Sequence, residues 1–159
     1  MSTRCHIALY GNSKQPLDKP TVLLYRHSDG YPEGEHGVVK VLKDFCAFFD
    51  ERRGLGDTEY AGAWLMYYLI DNHVKVAQEY VKERGDVPYS TLPEDGRDCL
   101  GHGICKPGEN HWDIAYYYRV NPTSIIVYQN SYDNDTGISS ERSLKKIQTI
   151  RLRRKGKNA

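Results

Sequence analysis

The spacing of apolar and polar residues divides the N-terminal half of the chain into two strands and a group of helices. Residues 4–10 alternate in polarity and residues 21–27 begin with a β-branched, apolar run, so we expect two paired strands. Residues 38–53 carry apolar side chains three and four positions apart, which predicts an amphipathic helix that ends before Gly54. Further helix is expected over residues 60–84, with a break at Asp71 and Asn72.

The C-terminal half returns to strand patterns, and the order of elements predicts the fold class. Short apolar runs separated by turn residues predict strands over residues 101–105, 112–120, 124–129 and 148–152. In the second of these we expect one face to hold Trp112, Ile114, Tyr116 and Tyr118. Strands, then helices, then strands favour an α+β domain: an antiparallel sheet of about five strands with two or three helices packed on one face.

Length and charge limit the class of protein without identifying its activity. A chain of 159 residues suits one domain, which we assign to residues 1–152, followed by a flexible basic tail over residues 153–159. The 22 basic and 21 acidic side chains nearly cancel, so no strong nucleic-acid or membrane signal is present. No apolar run is long enough for a membrane span, and the first residues lack an apolar signal core. We therefore expect a cytoplasmic protein whose four cysteines are thiols.

Residues 25–34, with the sequence YRHSDGYPEG, concentrate polar chemistry directly after an apolar strand. Five side chains in this stretch suit a ligand: Arg26, His27, Asp29, Tyr31 and Glu33. The guanidinium suits a phosphate or carboxylate, the imidazole exchanges a proton near neutral pH, and the phenol can stack on a base. The carboxylates suit ribose hydroxyls, base amino groups or a metal ion. The competing interpretation is a solvated turn, because turns are polar in any case.

A second group of residues has the chemistry of a zinc site but not its usual spacing. Its members are Cys99, His102, Cys105 and His111. Thiolates and imidazoles are the ligands that tetrahedral zinc prefers. The spacing C-x2-H-x2-C-x5-H matches no common zinc module, so a fortuitous cluster is favoured. No Gly-rich phosphate loop, nucleophile elbow or H-E-x-x-H motif occurs either, and we expect no cofactor.

His111 and Asp113 lie two residues apart in a predicted strand, so they share a face. They suit a base with its orienting carboxylate, or two contacts to one ligand. Alternatively, Asp113 pairs with an arginine of a neighbouring strand. Tyr116 is expected mainly in the core, although its ring also suits a ligand.

Three separated segments of the chain resemble a group of small bacterial and phage proteins. The segments are Ser2-Thr3-Arg4, the stretch from Tyr25 to Gly34, and His111-Trp112-Asp113-Ile114-Ala115-Tyr116. In that group a Ser-Thr-Arg start, a Tyr-x-His-x-Asp-Gly-Tyr segment and a later His-Gly-Asp-Ile-x-Tyr segment occur together. The resemblance implies that the three segments form one signature and that the protein acts in a host cytoplasm if a phage encodes it. It supplies no catalytic residues.

Taken together, these patterns favour a binding protein. We expect Arg4, Arg26 or His27, Asp29 and Asp113 to line a common hollow at one end of the sheet. The full predicted ligand-binding set is Arg4, Arg26, His27, Asp29, Tyr31, Glu33, His111, Asp113 and Tyr116. Phosphate on arginine, base on tyrosine and sugar on carboxylate suit a nucleotide-like small molecule, and the phage resemblance implies capture of a nucleotide-derived defence signal.

Two other functions stay open from the sequence. One is a metal-dependent or His/Asp phosphodiesterase or nuclease, with His27, His111 and Asp113 as its catalytic candidates. The other is an inhibitor that docks on a host protein through its many tyrosines. The sequence leans towards a protein without enzymatic activity and permits a homo-oligomer.

Overall fold

The computed structural model describes residues 3–34, 36–84, 101–106, 113–131 and 143–153, and these form two helices and six strands. The helices are α1 (Val38–Arg52) and α2 (Thr58–Arg84). The strands are β1 (Cys5–Leu9), β2 (Val22–Arg26), β3 (His102–Ile104), β4 (Tyr116–Asn121), β5 (Ser124–Asn130) and β6 (Leu144–Arg151). The strands form a single sheet in the order β3-β2-β1-β4-β5-β6. The predicted α+β class is confirmed.

The sheet is mixed and has six strands, so the prediction of an antiparallel sheet of about five strands is wrong. β1 and β4 pair in parallel, whereas every other neighbouring pair is antiparallel. The pair β1–β2 is antiparallel, as predicted. A parallel pair needs a long connection, and the chain between β1 and β4 contains β2, both helices and β3. Alternation of polarity within a strand carries no information on this direction.

Both helices cover the same face of the sheet, here called the helix-covered face. Side chains of β1, β4 and β5 on this face share one apolar core with α1 and α2. The predicted stripe of α1 is buried as expected: Val38, Val41, Leu42, Phe45, Cys46 and Phe49. Helix α2 continues through Asp71 and Asn72, where a break was predicted, and Asp71 forms an ion pair with Lys75 one turn later. No helix in the described residues is long and apolar enough to cross a membrane.

The opposite side of the sheet, here called the loop-covered face, has a smaller core with polar tips. Its buried members are Ala8, Tyr10, Leu23, Ile114 and Tyr117. The loop after β1 lies over it, because the Tyr10 hydroxyl donates to the Leu17 carbonyl at 2.6 Å. Ile114 was predicted to share a face with Tyr116 and Tyr118, which instead belong to the helix-covered side. Regular alternation begins only where β4 begins, at Tyr116.

Candidate functional site

The predicted site residues do meet at one end of the sheet, but on two different faces. Cys5 pairs with Arg26 on one side and with Tyr116 on the other, so the start of β1, the end of β2 and the start of β4 are neighbours. Paired residues project to the same face, and Cys5 belongs to the helix-covered core. Arg26 therefore lies on the helix-covered face. Arg4, one residue before Cys5, lies on the loop-covered face, so the two arginines do not share the expected hollow.

Arg4 and Asp113 form a salt bridge on the loop-covered face. The pair is half-exposed, so each charge is offset by the other in contact with solvent. This contact agrees with the alternative that Asp113 pairs with an arginine beside a neighbouring strand. His27 is exposed on the same face, with its Nδ1 3.3 Å from the Tyr25 hydroxyl. His111, the remaining catalytic candidate, lies outside the described residues.

A cavity of about 540 Å³ opens on the helix-covered face, between β2, residues 29–34, residues 36 and 37, and α2. The residues with chemistry that line it are Arg26, Asp29, Tyr31, Glu33, His36 and His73. Four of these six come from the predicted polar stretch. The sequence patterns did not point to the two histidines. His36 follows the polar stretch by two residues, and His73 reaches the cavity only through the packing of α2. A cavity of this size matches small-molecule sites.

Close backbone packing holds the polar stretch over the end of β1. The Gly30 amide donates to the Thr3 carbonyl at 2.9 Å, and the Tyr118 hydroxyl donates to the Gly30 carbonyl at 2.7 Å. A Cβ on Gly30 would lie 2.9 Å from the Cβ of Cys5, so only glycine permits this approach. The loop is therefore fixed to the sheet at Gly30, between the end of β2 and the cavity.

The remainder of this segment presents its side chains at the mouth of the cavity. Asp29 adopts a left-handed backbone conformation, with φ of 55°, which Asp tolerates better than most residues. A Cβ on Gly37 would lie 2.6 Å from the Pro32 carbonyl oxygen. Because glycine has no Cβ, the chain can pack tightly against the start of α1. Tyr31 is exposed and has its ring centroid 6.4 Å from that of Tyr116. Tyr116 thus supports Tyr31 from beside the cavity.

Arg26 is the most unusual group of the cavity, because it is a buried cation without a carboxylate partner among the described residues. The residue is only 3% exposed. Its Nε donates to the Ser28 carbonyl at 2.8 Å, while its Nη1 is buried and has no hydrogen-bond partner. Burying an unsatisfied donor on a charged group costs free energy that an oxyanion would return.

Two imidazoles lie beside the guanidinium. His102 of β3 pairs with Arg26 across the sheet, and its ring centroid is 5.5 Å from that of His73 in α2. Burial, and then the charge of Arg26, lower the pKa of His102 to about 4 and also lower the pKa of His73. Both nitrogens of His102 are buried without a partner. The adjacent cation repels a metal ion and favours an anion, to which a neutral imidazole can donate a hydrogen bond.

The predicted zinc cluster is not brought together in the part of the chain that the structure describes. His102 faces the helices, whereas the Cys105 sulfur lies on the loop-covered face, 3.8 Å from His6 Nδ1. Three positions separate the two residues, so they lie on opposite sides of β3 and its extension. Cys99 and His111 lie outside the described residues. Within the described ranges, no group of three metal-binding side chains occurs.

Comparisons with protein-family models, with curated proteins and with solved structures found no match. The assignment of the candidate site therefore depends on the chemistry and geometry of the cavity on the helix-covered face.

Proposed function

We propose that the protein binds a nucleotide-like small molecule in the Arg26 cavity and sequesters it without converting it. The observation that supports this most is the buried Nη1 of Arg26, a charged donor without a partner at the wall of an open cavity. Phosphate and carboxylate are the two biological oxyanions whose geometry a guanidinium matches.

The other groups of the cavity suit the rest of a nucleotide. Tyr31 is 51% exposed and offers a ring face on which a base can stack. Asp29 and Glu33 line the same cavity and can accept hydrogen bonds from sugar hydroxyls or base amino groups. The volume of about 540 Å³ has room for one nucleotide.

Sequestration, rather than turnover, is favoured by the positions of the two catalytic candidates that the structure describes. His27 is on the loop-covered face, and Asp113 has its charge offset by Arg4 there. Neither residue lines the cavity that contains Arg26. Together with the resemblance to phage proteins, this supports a role as a sponge that lowers the free concentration of a nucleotide-derived defence signal in a host cytoplasm.

The proposal is tested by mixing the purified protein with a panel of nucleoside mono- and diphosphates, cyclic mono- and dinucleotides and ADP-ribose. Bound compounds are recovered by denaturing the washed complex and are identified by mass spectrometry. We expect at least one compound to be recovered intact from the wild type but not from Arg26→Met. Arg4→Met, on the other face, is the matched control and should retain the ligand. Degraded products would support a phosphodiesterase instead, and no Arg26-dependent binding of any compound would overturn the proposal.

A further inference from the structure

The cavity changes in exposure from its floor to its mouth. Arg26 lies at the floor, where it is 3% exposed. Asp29, Glu33 and His36 are exposed around the mouth. A ligand group that reaches the guanidinium must therefore pass the exposed groups first and end at the buried one.

The sign of the charge also changes from the floor of the cavity to its mouth. The floor carries the guanidinium of Arg26, and the mouth carries the carboxylates of Asp29 and Glu33. An anionic group is attracted strongly at the floor, where solvent is largely excluded, and is repelled more weakly at the mouth, where solvent screens the charges. A ligand with one negative end and an uncharged, donor-rich remainder fits both regions.

The shape of the floor adds a steric condition. Arg26 reaches the cavity from β2, with α2 on the opposite wall through His73 and Ala77. A phosphodiester carries organic groups on two of its oxygens, so both groups would have to enter this buried end. A phosphomonoester carries only one, which can extend towards the mouth. Its free oxygens are available to the unpartnered Nη1.

We propose that the ligand is a nucleoside monophosphate, or a nucleotide with one terminal phosphate, which enters phosphate first. The terminal phosphate binds Arg26, the sugar and base amino groups face Asp29 and Glu33, and the base lies against Tyr31. This proposal rests on the proposed function and narrows it. A second phosphate would lie near the two carboxylates, and a cyclic diester would not present a terminal phosphate to the floor.

The test is isothermal titration calorimetry of the full chain with 5′-AMP, ADP, 3′,5′-cyclic AMP and adenosine, then with the other three nucleoside monophosphates. 5′-AMP and cyclic AMP share base and ribose, so they compare monoester with diester directly. We expect a monophosphate to bind at least about tenfold more tightly than its diphosphate or cyclic form, and the nucleoside not to bind measurably. Arg26→Met should weaken monophosphate binding by about 30-fold or more.

A second variant examines the mouth and does not depend on a change in the core. Asp29→Asn/Glu33→Gln replaces two exposed carboxylates with amides of similar size. We expect it to raise the relative affinity for ADP over AMP by about tenfold, because the repulsion of the second phosphate is removed. Circular dichroism and thermal melts establish that each variant is folded.

The outcomes separate this inference from the function on which it rests. Arg26-dependent binding of ADP or a cyclic nucleotide as tight as that of the monophosphate would overturn the phosphate-first orientation but leave nucleotide binding intact. An unchanged preference in the Asp29→Asn/Glu33→Gln protein would overturn the role of the mouth charges. If no monophosphate binds while another nucleotide does, the ligand class is wrong. If no compound of this series binds and none of the wider panel that tests the proposed function binds either, the proposed function fails as well.

Discussion

The arginines on the two faces of the sheet differ in their partners and in their access to the cavity. On the loop-covered face, Arg4 is partly exposed and its charge is offset by Asp113. Arg119, on the same side, donates from Nη2 to the carbonyls of Ser13 and Gln15. On the helix-covered face, Arg26 is buried and has no salt bridge to any described residue. Among the same residues its Nη1 is buried without a hydrogen-bond partner, as are the Nε atoms of Arg4 and Arg119, but of these three arginines only Arg26 lines the cavity. Arg4 and Arg119 thus contact other parts of the protein, whereas Arg26 adjoins the cavity.

This difference suggests that the arginines of the loop-covered face contribute to stability and that Arg26 contributes to binding. The contacts of Arg119 fasten the loop after β1 to the sheet, and Arg4–Asp113 is an ordinary exposed ion pair. The unsatisfied donor of Arg26 contributes nothing of this kind and lowers stability. A group that is costly in the free protein and adjoins a cavity is where binding sites are commonly found.

The largest expected effect compares the two cores by the same substitution. Leu65→Ala, in the fully buried part of the helix-covered core, should lower the free energy of unfolding by about 4 kcal/mol. Leu23→Ala, on the loop-covered face, should lower it by about 2 kcal/mol, because the loop above can relax into the space. Urea unfolding measures both. Equal losses would mean that the loop-covered core is as rigidly packed as the helical one.

The next effect is a dependence of stability on pH that comes from the helix-covered face. The pKa of His102 is lowered to about 4 from its ordinary value of 6.5, first by burial and then by Arg26 and His73. The unfolded chain therefore binds a proton at higher pH than the folded one. The free energy of unfolding has its full value above about pH 6.5 and falls as the pH is lowered towards 4. With allowance for the partly exposed ring, the loss is about 2 kcal/mol.

His102→Gln removes this contribution, while His73, whose pKa is also lowered by burial, stays in both proteins. Denaturant midpoints of both proteins between pH 7.5 and pH 4 give the comparison. We expect the midpoint of the variant to fall less steeply over this range than that of the wild type. Parallel curves would show that His102 is not held neutral by its surroundings.

A smaller effect of opposite sign is expected at Arg26. Arg26→Met replaces the buried cation with an apolar side chain of similar length, so the variant should be more stable than the wild type by about 1 kcal/mol. The same substitution of Arg4 should change the free energy of unfolding by less than about 1 kcal/mol, with a loss expected. Thermal and urea unfolding without ligand measure both. A strongly destabilised Arg26→Met protein would mean that the guanidinium has a partner in solution.

Local patterns predicted the elements of this fold better than their arrangement. The apolar spacing in α1 predicted its buried stripe, and the predicted pairing of β1 with β2 is confirmed. All five residues of β1 are buried, so its alternation predicted the face of each side chain but not its burial. The parallel pairing of β1 with β4 depends on where a long connection returns. No residue in either strand encodes that direction, so the sequence alone predicted an antiparallel sheet.

The site was predicted in part, for a related reason. The polar stretch after β2 supplies Arg26, Asp29, Tyr31 and Glu33 to one cavity because a short loop keeps neighbours together. Arg4 and Asp113 were assigned to the same hollow from their position at one end of the sheet, which is right, but the face was not determined. His73 reaches the cavity only through the tertiary packing of α2.

The smallest expected effect concerns the ion pair on the loop-covered face. Asp113→Asn removes the carboxylate charge and leaves Arg4 in place, so the free energy of unfolding should fall by less than about 1 kcal/mol, and by less still in high salt. Ligand affinity should stay within about twofold of the wild type, because the sheet separates Asp113 from the Arg26 cavity. Unfolding at low and high salt, with calorimetry of the bound nucleotide, measures both quantities. A tenfold loss of affinity would show that Asp113 contributes to ligand binding, and would contradict the assignment of binding to the helix-covered face alone.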